Sequence, residues 1–245
     1  MNVSVCIATY NGEKYLTEQL ESILYQLGDN DEVLISDDGS TDSTLDIINR
    51  YTSLENVHLV SSKRLGSPVK NFERVLNFVS KDIVVLSDQD DVWLDNRLEE
   101  IKSEFSLDNS LTLLVQNSRI FKNIDNTFFE REDLFNSIRR RPGILFNLYR
   151  NTYVGCCMSF RRSCLKNILP FPNGVPMHDI WIGLVCEVFG KVKDINECRM
   201  LYRRHGMNAS NTSESSTRSY LLRIKERMYL IFGILNLLMK RHRND

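Results

Sequence analysis

The chain has 245 residues, 42% of them hydrophobic and 26% charged, with a net charge of -1. This composition is ordinary for a soluble globular protein, and the overall charge points to no particular partner. The charge is unevenly placed, however. From Leu201 onward there are nine Lys/Arg against three Asp/Glu, and before it 22 against 29, so an acidic body carries a basic tail suited to an anionic surface.

The apolar run at 3–8 reads as a short buried strand, and the start of the chain shows no basic and apolar leader of the secretory kind. After "TYNG", residues 15–27 space Leu16, Leu20, Ile23, Leu24 and Leu27 at threes and fours, the pattern of an amphipathic helix. "EVLISDDGSTD" repeats the scheme, with a strand through 33–35 and a helix from about Ser43 carrying Leu45, Ile47 and Ile48. "NVHLVSS" and "KNFERVLNFVS" give a third strand and helix, and "DIVVLSDQDD" a fourth strand. Strands and helices alternate through short linkers, which predicts a mostly parallel sheet covered on both faces.

Beyond Trp93 the pattern loosens. "DNRLEEIKSEF" reads as a helix and "LTLLVQNSRIF" as a strand, while the polar residues 123–142 read as a mobile loop. "LYRNTYVGCCMSFRR" reads as strand or loop and "HDIWIGLVCEVFG" as a helix. The expected division is a body over 1–212 and a basic amphipathic helical tail over 213–245. Within the body, the regular alternation of 1–98 sets one half apart from the looser pattern of the other half, 99–212. The apolar core of the tail, "MYLIFGILNLLM", spans only about 18 Å as a helix, too short for a hydrocarbon core of about 30 Å. It therefore reads as a helix packed on the body, an oligomer contact, or an interfacial helix with its cations at the membrane surface.

Cys6, Cys156, Cys157, Cys164, Cys186 and Cys198 include no C-x-x-C pair, which argues against a zinc site. They read as reduced, mostly buried residues of a cytoplasmic chain. No base adjoins the pair Cys156–Cys157 in sequence, so no nucleophilic cysteine is expected.

Ligands of parallel sheets bind outside the carboxyl ends of the strands. Residues 9–11, 37–40 and 88–91 each follow an apolar strand and should meet on that edge. Carboxylates so placed can hold a divalent cation, act as acid and base, or form a solvated loop. The second pair, Asp37 and Asp38, on the same edge favours the cation for Asp88, Asp90 and Asp91. Asp37 or Asp38 can accept from a base or ribose, or close an Asx turn. Neither G-x-x-x-x-G-K-[ST] nor G-x-G-x-x-G is present, so P-loop and dinucleotide-binding readings lose their main support.

Together, "VSVCIATYNGEKYLTEQLESILYQ", "DEVLISDDGSTDST" and "LSDQDDVW" resemble glycosyltransferase family 2, strongly over residues 3–98 and more weakly through "GCCMSFRR", "PMHDIWIGL" and "YRRHGMNAS". The resemblance implies an α/β GT-A nucleotide-diphospho-sugar transferase fold, with 1–98 as its nucleotide-sugar and metal half and 99–212 as its acceptor half. The D-Q-D-D-x-W variant is similar to bacterial rhamnosyltransferases of cell-surface polysaccharide synthesis. Under that resemblance Thr9, Tyr10, Asn11, Glu13, Asp37, Asp38, Asp88 and Asp90 line the nucleotide-sugar pocket. Asp90 and Asp91, with His205, hold Mn²⁺ or Mg²⁺, and Asp179 is the catalytic base. Trp93, Gly155, His178 and Trp181 border the acceptor, although a buried packing role competes for both tryptophans.

The implied reaction is a metal-dependent, inverting single displacement. The expected donor is dTDP-L-rhamnose, with UDP-hexoses such as UDP-glucose, UDP-galactose or UDP-GlcNAc as the alternative. The expected acceptor is a polyprenyl-diphosphate-linked glycan, an O-antigen or capsule intermediate at the cytoplasmic face of the inner membrane. A non-catalytic sugar-nucleotide or glycan-binding protein is the rival reading. A nucleic-acid partner is not expected, because the basic residues lie in a tail.

Overall fold

The structure, a computed structural model, describes residues 1–124, 127–205 and 220–244. The first half alternates strand and helix: β1 (Val3–Thr9), α1 (Leu16–Leu24), β2 (Glu32–Asp37), α2 (Thr44–Tyr51), β3 (Val57–Ser61), α3 (Pro68–Leu76) and β4 (Ile83–Ser87). There follow β5 (Val92–Trp93), α4 (Arg97–Leu107), β6 (Leu111–Gln116), β7 (Arg119–Ile124), β8 (Thr127–Asp133), α5 (Leu134–Ile138) and α6 (Ile144–Tyr149). The chain continues through β9 (Met158–Arg161), α7 (Leu165–Ile168), α8 (His178–Phe189), β10 (Lys191–Ile195), β11 (Met200–Arg203) and α9 (Tyr220–Asn244).

Seven strands form one sheet in the order β10-β6-β9-β4-β1-β2-β3, and β5-β11-β7-β8 form a second. In the larger sheet only β9 runs antiparallel to its neighbours, β4 and β6. Residues 83–87 of β4 are all buried, as a parallel strand covered on both faces must be. α3 begins where the sequence supplies both start signals. Ser67 accepts from the Lys70 N–H, and Pro68 occupies the first turn, where its missing N–H costs nothing.

Two expectations for the second half change. "LTLLVQNSRIF" is not one strand but two, β6 and β7, which belong to different sheets. The stretch expected as a mobile loop instead contains the antiparallel hairpin β7–β8 and helix α5. Backbone pairing needs no apolar run, and the segment is anchored by Leu134 and Ile138, both buried, with the Leu134 N–H donating to the Ser118 carbonyl. The expected boundary at 212/213 lies outside the described residues. α9 is packed on the body, one of the three readings open for the tail, through Leu230 and Ile234, which are buried, while much of its remaining surface is exposed. No helix among the described residues is long and apolar enough to cross a membrane.

Candidate active site

The order β4-β1-β2 and the registers Ile7↔Ser87 and Thr9↔Asp37 bring three strand ends together. The segments 9–11, 37–40 and 88–91 therefore do share one edge. Gln89, which the motif reading passed over, joins two of them: its Oε1 accepts from the Tyr10 N–H at 2.8 Å, and its Nε2 donates to the Tyr10 carbonyl at 3.0 Å. Asn11 turns through a left-handed φ of 47°, and its Oδ1 accepts from the Thr41 N–H. Glu13 Oε2 accepts from the Ser43 N–H ahead of α2.

The nucleotide-side residues divide by how much bonding capacity they retain. Asp37 is fully buried, and its carboxylate accepts from the Gly39 and Ser40 N–H groups and from the Thr9 and Ser40 hydroxyls. Those bonds fill its four acceptor positions, so Asp37 knits the turn and commits the single O–H donor of Thr9 to it. Asp38 accepts from the Leu65, Gly66 and Ser67 N–H groups, which leaves one position open. Of the pair, Asp38 is the one able to meet a ligand. Tyr10 is 43% exposed with the Arg64 guanidinium 5.8 Å from its ring centroid, an aromatic and a cation side by side on the edge.

In the acidic loop Asp91 is buried, Asp90 nearly so and Asp88 half-buried. Single ligand atoms of Asp88, Asp91 and Cys156 lie within 4.8 Å of one another, so the cysteine dismissed as a nucleophile belongs to this cluster by position. Burial and the neighbouring Asp90 push the Asp88 carboxyl up to about 7, and burial with the same neighbours pushes Asp91 up strongly. Asp90 Oδ2 lies 2.8 Å from Nε2 of His205, whose ring stacks on Tyr15 at 4.9 Å. Arg203 holds this arrangement from across the chain. Its N–H donates to Asp91 Oδ1 at 3.0 Å, its Nε to the Asp90 carbonyl at 2.7 Å and its Nη2 to Glu18 at 2.5 Å. Its guanidinium lies between the Tyr15 and Phe121 rings.

The donor set suits a hard divalent cation. Asp91 Oδ2 is buried without a hydrogen-bond partner, an arrangement that costs stability unless positive charge arrives. Carboxylate oxygens with one imidazole match Mg²⁺ or Mn²⁺; the Cys156 thiol is too soft to be preferred by either. Beneath the loop the wholly buried Arg97 donates Nη2 to the Cys156 carbonyl, while its Nε and Nη1 have no hydrogen-bond partner.

On the other side, Asp179 stands in the first turn of α8 and is 8% exposed. Its Oδ1 accepts from the Ile180 N–H at 2.5 Å, with Asn151 Nδ2 at 3.4 Å. Burial outweighs these bonds and pushes its carboxyl up to about 7. Asp179 is also the least of the causes that act on Asp88, which is raised first by burial and by Asp90.

Three residues expected at the acceptor are packed instead. Trp181 is 1% exposed and donates its indole N–H to the Ile168 carbonyl at 2.9 Å. Trp93 is buried, with the Arg97 guanidinium 4.9 Å from its ring. His178 is buried and stacks on Phe72 with ring centroids 3.8 Å apart; burial lowers it to about 3, so it is neutral at physiological pH. All three rings have apolar or cationic surfaces to cover, which the adjacent Asp motifs conceal. Gly155 is explained by the same packing, because a Cβ there would stand 2.6 Å from His178 Nε2. Gly155→Ala is expected to destabilise the fold by roughly 1–3 kcal/mol through this overpacking, measured by urea denaturation.

A model of the family described as glycosyl transferase family 2 matches residues 4–169. The chain belongs to glycosyl transferase family 2. Among its relatives, the dTDP-rhamnosyl transferase RfbG of Shigella flexneri is 40% identical over 100 residues, 38% of this chain and 34% of RfbG. The UDP-Glc:alpha-D-GlcNAc-diphosphoundecaprenol beta-1,3-glucosyltransferase WfgD of Escherichia coli is 24% identical over 87% of this chain and 80% of its own. The structure of S. aureus TarS 1-349 with UDP-GlcNAc superposes with a TM-score of 0.72 at 20% identity, covering 96% of this chain and 67% of that one. The mannosyltransferase PcManGT from Pyrobaculum calidifontis, with GDP-Man and Mn²⁺, gives 0.60 at 18% identity, covering 97% and 64%. The family-2 chain is thus a glycosyltransferase with the α/β GT-A fold and a C-terminal helix, as its motifs implied.

Proposed function

We propose that this family-2 chain moves a sugar from a nucleoside-diphosphate donor to a hydroxyl of a lipid-linked surface glycan, inverting the anomeric carbon. The carrying observation is that Asp179, a buried carboxyl pushed up to about 7 in the first turn of α8, is joined to the acidic loop through one short segment, where Gly155 packs on His178 and Cys156 meets Asp88 and Asp91. The acceptor hydroxyl attacks the anomeric carbon as the bond to the diphosphate oxygen breaks, and Asp179 takes the hydroxyl proton. A group that titrates near the working pH suits that task, since it is ionised and still basic. No second carboxylate is placed as a nucleophile among the described residues, which favours one displacement over two.

Asp38 and the Tyr10 ring would receive the nucleotide, and Asp88 would orient the sugar diphosphate. Asp90, Asp91 and His205 would hold Mn²⁺ or Mg²⁺, which when bound offsets charge on the departing nucleoside diphosphate. Arg203 and Gln89 keep the loop in place. The RfbG similarity favours dTDP-L-rhamnose as donor. A UDP-hexose is the second reading, favoured by the WfgD similarity over most of the chain. The WfgD acceptor also supports a polyprenyl-diphosphate-linked O-antigen or capsule intermediate, met at the cytoplasmic face of the inner membrane.

The test is a melting-temperature screen of sugar nucleotides with Mn²⁺, followed by transfer assays on the stabilising donors with and without EDTA. A ligand that binds only the folded state at a hundred times its Kd adds about 2.7 kcal/mol, several degrees in a domain of this size. Transfer that persists unchanged in EDTA would remove the metal. Donor binding without turnover on any polyprenyl-linked acceptor would favour the non-catalytic reading.

A further inference from the structure

α9 presents two opposite faces. Leu230 and Ile234 are buried, and Gly233 lets the helix close on Trp181, whose Cζ3 would lie 2.8 Å from an added Cβ. On the far side Leu221, Ile224, Met228, Phe232, Leu235 and Met239 follow one another at steps of three and four. All six are exposed, from 44% at Met228 to 79% at Leu221. That spacing lines them along one stripe, on a helix of 25 residues, about 37 Å long. Isolated exposed apolar residues need no explanation, but a continuous stripe of this length marks a contact surface.

Charge selects the occupant. Residues 220–244 carry six Lys/Arg and one acidic residue, Glu226. Arg223, Lys225 and Lys240 are exposed on the same helix, Lys225 next to the apolar stripe. A second copy of the helix would set cations against cations with one carboxylate each to offset them, whichever way it ran. An anionic bilayer supplies both what the stripe lacks and what the cations need. The neighbouring α6, which contacts α9, adds Leu145 and Tyr149, 83% and 84% exposed, between the exposed Arg141 and Arg150.

We propose that α9 lies flat in the headgroup region of an anionic bilayer, with the stripe from Leu221 to Met239 inserted and its cations among the lipid phosphates. This docking would also orient the enzyme. α9 packs on α8, the helix whose first turn holds Asp179, and Arg227 is near enough to Asp179 to pull its carboxyl down slightly. The acceptor side of the site would therefore sit beside the membrane surface. The inference rests on the reaction proposed above only for the purpose of the docking, and lipid binding measured without donor or acceptor separates the two.

The experiment is sedimentation of the full chain with phosphatidylcholine vesicles that contain or lack phosphatidylglycerol. Binding is expected to the anionic vesicles alone and to weaken in high salt. Phe232→Glu with Leu235→Glu is expected to lower partitioning at least about tenfold at an unchanged melting temperature, since both positions face solvent. Lys225→Glu with Lys240→Glu should weaken it by about fivefold per cation removed, and serves as the second variant if the first misfolds. Absence of binding to anionic vesicles would overturn the proposal, as would wild-type binding by the Glu variants. So would a dimer seen by light scattering that Phe232→Glu dissociates.

Discussion

Asp179→Asn is expected to lower the transfer rate by about two to four orders of magnitude, the usual range for removing a general base, with donor binding retained. Asn keeps the shape and can still accept from the Ile180 N–H, so the loss isolates proton transfer. In the wild type, transfer should rise with pH through about 7 as Asp179 ionises, and the residual activity of the variant should lack that limb. Stability should move in the opposite direction. The Asp179 carboxyl binds its proton more tightly in the folded chain than in the unfolded one, where it titrates near 4. Wild-type stability relative to the variant is therefore full below about pH 4 and declines as pH rises to about 7. Above that the variant is expected to be the more stable protein, by at most about 4 kcal/mol. Thermal melts of both chains at pH 4.5 and 8 check the crossover; a constant difference between the two would mean that Asp179 is not held protonated by burial.

The second large effect is expected at Asp90. Asp90→Ala should cut metal-dependent transfer by about a thousandfold, the order of several kcal/mol of charge stabilisation at the departing diphosphate. Its melting temperature without metal should fall only slightly, because the contact with His205 is lost but the backbone carbonyl that holds Arg203 is kept. Asp91→Ala is expected to behave differently. It removes the acceptor of the buried Arg203 N–H, and a buried donor left without a partner costs about 1–3 kcal/mol. Asp91→Ala should thus lose stability as well as activity. Calorimetric Mn²⁺ titration with donor present, alongside melting curves, separates a ligand from a scaffold residue. Equal loss of metal binding in both variants at equal stability would assign Asp91 to the cation as directly as Asp90.

Much of the donor half is legible because its signals are local. The runs ending at Thr9, Asp37 and Ser87 are apolar, and the acidic or polar residues after each can only fall on one sheet edge once the strands are parallel. The helices between them read off their spacing. What could not be read depends on contacts that span the chain. Arg203 meets Asp90 and Asp91 from more than a hundred residues away, and although "YRRHG" falls within the resemblance, its spacing gives no hint of which acids its arginines meet. Cys156 reaches the acids for the same reason. The hairpin β7–β8 lacks apolar alternation, since its strands are held by backbone pairing at the edge of a small sheet. Trp93 and Trp181 show the converse: proximity to an Asp motif in sequence suggested a ligand surface, whereas each side chain turns the other way into the core. The sequence left open whether Asp37 or Asp38 meets a ligand or closes a turn, because an aspartate that closes its own turn and one that awaits a ligand look identical until their acceptors are counted.

The Arg203 clamp also has a consequence for how the enzyme is completed during synthesis. The chain emerges from its N-terminus, so β1, β2 and β4 and the whole acidic loop leave the ribosome more than a hundred residues before the arginine that positions them. Until β11 pairs with β5 and β7, the Asp90 carbonyl and Asp91 carboxylate lack their partner, and His205 cannot reach Asp90. A fragment that ends near residue 98 would carry nearly every recognisable donor motif and still have no assembled cation site. The most recognisable part of the sequence signature is thus among the last parts of the molecule to reach its final arrangement, because the acidic loop waits for β11 to bring Arg203 and His205 to it.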